Sequence, residues 1–189
     1  VLGSGTEAGP IWLGRRTQTS ETAGDYGLII YKKGAYVLHM LRNMFLDLNT
    51  MRDTGFADTM REFFTRYKDR PASTEDFKRI VEKRLGENLD WFFDQWVYGT
   101  ALPTYRFGYR EERTEDGKWR LRCRVRQSDV PESFKMYVPV TVRDVDGAVL
   151  RKRILVDRPE VEFEIGPLES KPAEVTFNDF LSVLALVKS

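Results

Sequence analysis

Across Gly99-Thr100-Ala101-Leu102-Pro103 the hydrophobic period of the chain changes from helical to alternating, and one regular architecture cannot serve both sides. Upstream, Val37, Leu38, Leu41, Met44, Phe45 and Leu48 recur at helical spacing and predict a helix from about Lys33 to Leu48. Phe56, Met60, Phe63, Phe64 and Tyr67 give a second stripe, ended by Arg70-Pro71. Ser73 stands as a capping residue before Glu75 and Asp76, and Phe77, Ile80, Val81 and Leu85 form a third stripe closed by Gly86. Asn88 or Asp90 opens a fourth, unusually aromatic helix carrying Leu89, Trp91, Phe92, Phe93 and Trp96. Aromatic side chains at helical spacing are read as core in preference to a peptide-binding wall.

Downstream of Pro103, Tyr105, Phe107 and Tyr109 alternate with Arg106, Gly108 and Arg110. Thr114-Glu115-Asp116-Gly117 then supplies a turn before Trp119, Leu121, Cys123 and Val125, which predicts a hairpin. Further strands are predicted from Phe134 to Arg143, from Ala148 to Val156 across an Asp146-Gly147 turn, from Val161 to Ile165 and from Ala173 to Phe177. Around six short strands with turns between them imply an antiparallel β-sandwich, so the fold class is α+β with its boundary in residues 99–104. The predicted divisions are an irregular leader (1–30), a helical part (31–102), a sandwich (103–179) and a tail (180–189). The leader is rich in Gly, Thr and Ser, its apolar island Pro10-Ile11-Trp12-Leu13 is expected to pin a loop, and Arg15-Arg16 reads as a solvated pair.

With 189 residues and 41% apolar content, the chain is long enough for real cores. A formal charge of +1 gives no bulk field to recruit nucleic acid or an anionic membrane, and neither partner is expected. No apolar run reaches bilayer length, the longest candidate being the Phe180 to Val187 tail. One local charge pattern stands out: Arg120, Arg122, Arg124 and Arg126 share one side of a strand, and Glu160, Glu162 and Glu164 share one side of a later strand. If those strands pair, cross-strand ion pairs neutralise the stripe, and it is no polyanion site. The lone Cys123 makes no internal disulfide, leaves the redox compartment open and is read as a small core residue. His39 is the only histidine; the residue four positions on is Asn43, so no metal pair forms and no metal role is assigned.

Tyr31 is expected just before, or in the first turn of, the helix that starts near Lys33. There a phenol sits beside the partly positive end of a helix dipole, which suits donation to a developing oxyanion. The string Tyr31-Lys32-Lys33-Gly34-Ala35 with Val37-Leu38-His39-Met40-Leu41 resembles the Tyr-x-Lys-Gly-Ala helix of the gluzincin zinc aminopeptidases, the aminopeptidase N family. The block from Trp91 to Tyr105, WFFDQWVYGTALPTY, resembles that family's later Trp-x-x-Gly-x-x-x-Pro segment. Thr74-Glu75-Asp76-Phe77 and Phe92-Phe93 fit the helical part between, so three blocks stand in order over about half the chain.

The resemblance implies the helical C-terminal part of a thermolysin-like catalytic domain followed by a small β-sandwich. It also implies release of N-terminal residues from a peptide substrate. By position, the oxyanion-donating tyrosine would be Tyr31, with Tyr26 a second candidate for lining the pocket. The family's zinc site needs His-Glu-x-x-His and a later glutamate, and no such motif occurs here. The expectation is therefore the C-terminal part of a larger peptidase, lacking the metal segment. Zinc and the general base would belong to the complete protein, and this chain alone would be inactive. The alternative is a non-catalytic scaffold or protein-interaction module derived from the same fold.

Overall fold

A computed structural model of the chain describes residues 9–17 and 26–188. Residues 1–8 and 18–25, which hold much of the expected leader, lie outside the described residues, as does Ser189. The chain divides into two compact units, residues 1–100 and 101–189.

In the first unit, Ile11–Thr17 forms a 3-10 helix interrupted at Gly14, whose backbone (φ 55°, ψ −129°) leaves the helical region. π-Helical turns over Gly27–Lys33 pass straight into α1 (Gly34–Phe45). α2 (Thr54–Tyr67) and α3 (Thr74–Leu85) follow. α3 begins with a capping box in which the Ser73 hydroxyl accepts from the Asp76 amide and the Asp76 carboxylate accepts from the Ser73 amide. It ends at Gly86 in the left-handed conformation (φ 73°), where a glycine carries no side-chain penalty. α4 (Asp90–Phe93) continues into a second π-helical segment, Asp94–Tyr98.

Burial follows the apolar stripes. Val37, Met40 and Leu41 of α1, Ile80 and Val81 of α3, and Leu89, Phe92, Phe93, Trp96 and Val97 make the core of this unit. Each such aliphatic or Phe side chain contributes about 1.5–3 kcal/mol by leaving water. The aromatic cluster from Leu89 to Trp96 is core, as its spacing implied. Leu38 and Phe64 depart from the expected stripes and are 37% and 68% exposed. Phe56, Met60, Phe63 and Tyr67 already occupy the inward positions of α2, and Phe64 falls one residue past them. The small Thr59 is buried instead, with its hydroxyl donating to the Gly55 carbonyl at 2.8 Å.

The second unit holds seven strands: β1 (Thr104–Arg113), β2 (Trp119–Ser128), β3 (Met136–Asp144), β4 (Val149–Val156), β5 (Glu160–Leu168), β6 (Pro172–Phe177) and β7 (Leu186–Lys188). One sheet has the order β5-β2-β1-β7 and the other β4-β3-β6. All pairings are antiparallel except β1 with β7. The predicted hairpin is β1–β2, and β7 adds a seventh, short strand in the stretch read as a tail. Its three residues are too few to show an alternation. The sheets meet through aromatic rings: Phe107 of β1 stacks on Phe177 of β6 at 4.8 Å, and Tyr105 meets the same ring edge-on at 5.6 Å. Leu121, Cys123, Val125, Val138, Val140 and Val142 fill the interior.

The arginine stripe of β2 lies between acids. Arg122, Arg124 and Arg126 stand opposite Glu164, Glu162 and Glu160 of β5. Arg120 bridges Glu112 of β1 at 3.0 Å and Glu164 at 3.3 Å. Such exposed pairs contribute little stability each, but together they cancel the stripe's field. The β2–β5 ladder shifts register between Trp119 and Leu121. Gly166 lies at that shift with φ 147°, where an added Cβ would fall 3.0 Å from the Trp119 carbonyl oxygen.

Tyr105 yields a direct test of this core. Its side chain is fully buried, and its hydroxyl has no hydrogen-bond partner among the described residues. Burial pushes its phenol well above the ordinary tyrosine value. Removing an unsatisfied buried hydroxyl relieves a desolvation cost, so Tyr105→Phe is expected to change stability by no more than about 1 kcal/mol, and upward if at all. The urea midpoint reads the change. A loss of about 2 kcal/mol would mean that a bound water satisfies the hydroxyl.

Candidate functional site

Gly27–Lys33 is the segment through which Tyr31 is presented. The Gly34 amide donates to the Ile29 carbonyl five residues back, the bond that defines a π turn. Such turns are rare and often sit at functional positions. Ile29, 4% exposed, anchors the inner side of the turn. Tyr31 points outward and is 67% exposed, with no hydrogen-bond partner for its hydroxyl among the described residues. Tyr26 stands five residues earlier, one π turn away. Its ring meets that of Tyr31 edge-on, with centroids 5.8 Å apart and planes at 85°. The structure thus brings the two tyrosines singled out in the sequence into contact.

Their setting differs from expectation in one respect. Helical backbone runs unbroken from Tyr26 to Phe45, so Tyr31 lies inside the helical run. Tyr26, the first described residue of this run, itself has helical backbone angles (φ −53°, ψ −50°). A 3.6-residue stripe starting at Val37 gives no sign of the upstream turns, because a π turn inserts one residue and breaks the period.

Lys33 closes this segment in a way the sequence left unread. Its ammonium, partly buried, donates to the Gly99 carbonyl at 3.0 Å, sixty-six residues along the chain. Burial pulls the Lys33 amine below its ordinary value. Gly99 terminates the second π-helical segment in an extended conformation (φ −98°, ψ 169°). A Cβ there would lie 2.7 Å from the Gln95 carbonyl oxygen and 2.9 Å from that of Asp94. Neither is a flexible side chain, so Gly99→Ala must move backbone. The expected cost is about 1–3 kcal/mol of stability, read as a lower denaturant midpoint with unchanged slope. A neutral result would show that the π turn relaxes freely.

Among the described residues, no group of three or more His, Cys, Asp or Glu side chains is placed to hold a metal ion. His39 instead approaches the Asn43 side-chain amide at 3.1 Å and meets the Tyr36 ring edge-on. Cys123 is buried, and desolvation pushes its thiol up to about 12, so it is inert near neutral pH. No helix of the described residues is long and apolar enough to cross a membrane.

Comparison with known proteins follows the same lines. Residues 6–96 match the peptidase family M1 domain. Among solved structures, aminopeptidase A of Legionella pneumophila, crystallised with aspartic acid, superposes with a TM-score of 0.65 at 18% identity. That superposition covers 93% of this chain and 18% of the Legionella chain, and at this identity it shows a shared fold. No curated protein sequence gives a significant match. The matched family region contains Tyr26, Tyr31 and Lys33 and ends at Trp96, three residues before Gly99.

Proposed function

Because residues 6–96 match the peptidase family M1 domain, we propose that this chain is the oxyanion-side part of a zinc-dependent aminopeptidase. Peptidases of family M1 are zinc-dependent. The described residues do not fit a zinc site, so in this reading the metal ligands and the general base belong to sequence outside this chain. What the chain contributes is a phenol. Attack on a peptide carbonyl places negative charge on its oxygen, and a donor already aimed at that position needs no reorganisation as the charge grows. The observation that carries the reading is the Tyr31 hydroxyl: exposed, with no protein partner among the described residues, and borne on a π turn anchored by Ile29 within the matched region. Tyr26, packed edge-on against it, limits the directions the Tyr31 ring can take and lines the same surface.

The decisive experiment measures zinc content and hydrolysis of aminoacyl arylamides by the full-length protein that contains this chain, with the chain alone as control. Zinc and turnover in the full-length protein, with neither in the chain alone, support a divided site. Turnover by the chain alone at a rate comparable to the whole would refute it. Absence of zinc and turnover from both would favour the scaffold reading, in which the fold persists without its chemistry.

A further inference from the structure

The two π-helical segments of the first unit end in glycine, at Gly34 and Gly99, and a single side chain joins them. We propose that Lys33 is a positioning residue for Tyr31: anchored on the Gly99 carbonyl, it holds the π turn that aims the phenol. The proposal rests on the oxyanion-donor reading of Tyr31 and goes beyond it, since Lys33 touches no substrate in that reading.

The argument begins with cost. A half-buried ammonium loses hydration, and one bond to a carbonyl restores part of it. The backbone of a continuous helix does not require that bond, because the Gly27–Phe45 run already closes its own turns. A π turn, however, carries one residue more than the α-helix, and the commoner α bonding is always available to it. Relaxing the turn would shift the residues upstream of α1 by one position, which is about 100° of rotation about the axis. Tyr31 lies inside the turn, two residues from Lys33, so relaxation would re-aim its hydroxyl. The Gly99 end is stiff: its carbonyl follows the buried Trp96 and Val97, and the close Asp94 and Gln95 carbonyls leave no room for a side chain. Lys33 therefore ties the movable turn to a fixed point.

A double-mutant cycle in the full-length protein separates this role from a general structural one. The variants are Lys33→Met, Tyr31→Phe and the pair, with kcat and KM measured for each. Lys33→Met is expected to lower kcat by about ten- to a hundredfold with KM within about threefold, the signature of a misaimed donor. In the Tyr31→Phe background, where there is no hydroxyl to aim, Lys33→Met should cost less than about threefold more. Losses that multiply in full, or an unchanged kcat in Lys33→Met, would overturn the proposal while leaving Tyr31 in its role. An unchanged kcat in Tyr31→Phe alone would remove the reading beneath it, and the proposal with it. Should Lys33→Met fail to fold, Lys33→Gln, which is shorter and uncharged, carries the same cycle and the same criteria.

Discussion

If the full-length protein is the aminopeptidase proposed above, Tyr31→Phe is expected to lower its kcat by between about 30-fold and 1,000-fold, about 2 to 4 kcal/mol of transition-state stabilisation. The magnitude is that of losing one prealigned donor to an oxyanion. KM and zinc content should stay near wild type, because the hydroxyl is asked to act only when charge develops on the carbonyl oxygen. The fold should also survive. The hydroxyl has no partner among the described residues, and the contact with Tyr26 is between ring edge and face, which phenylalanine keeps. Steady-state kinetics on an aminoacyl arylamide, beside a melting curve for each variant, check both halves. Full turnover in a folded, zinc-loaded Tyr31→Phe enzyme would take Tyr31 out of the mechanism.

The largest stability effect should come from Phe92→Ala. Phe92 is wholly buried, with Trp91 and Phe93 rings set edge-on at 5.7 Å and 5.9 Å. Truncation removes its transfer free energy and leaves a cavity that rigid aromatic neighbours fill poorly, so the expected loss is about 3–5 kcal/mol. Domains of this size hold only about 5–15 kcal/mol in total, and the variant would approach the edge of folding. Chemical denaturation of the chain, followed by tryptophan fluorescence, gives the number. A loss below about 1 kcal/mol would mean that the cluster from Leu89 to Trp96 is not the organising core.

Much of this molecule is legible in its sequence because period reports burial. The Ser73 capping box, the Gly86 stop, the β1–β2 hairpin and the facing Arg and Glu rows all follow from local chemistry that nothing downstream overrides. What escapes reading has physical causes. The π turn before α1 is invisible to a helical stripe, and with it the inclusion of Tyr31 within the helical run. Phe64 looks like a core residue until the inward positions of α2 are seen to be filled. β7 is short and pairs with a strand some eighty residues earlier, a contact no local pattern encodes. At the site, Tyr26 and Tyr31 were visible as residues, and their ring contact follows from a turn that joins positions five apart. Lys33 and Gly99 stood in plain view, one in the Tyr-x-Lys-Gly-Ala string and the other in the Trp-x-x-Gly segment. Their bond depends on tertiary placement alone.

The charged rows of β2 and β5 also bear on which alignment of those strands the chain accepts. Moving one strand by two residues would set Arg120 against Glu164, Arg122 against Glu162 and Arg124 against Glu160, so charge alone tolerates the error. The rows select a neighbour and a side, and they leave the rung undecided. Gly166 favours the observed rung, because at φ 147° a side chain is strained and its Cβ would lie 3.0 Å from the Trp119 carbonyl oxygen where the ladder shifts. Exchanging an arginine with its facing glutamate keeps the charge match, whereas a side chain at position 166 would press on the Trp119 carbonyl and load the ladder where it shifts.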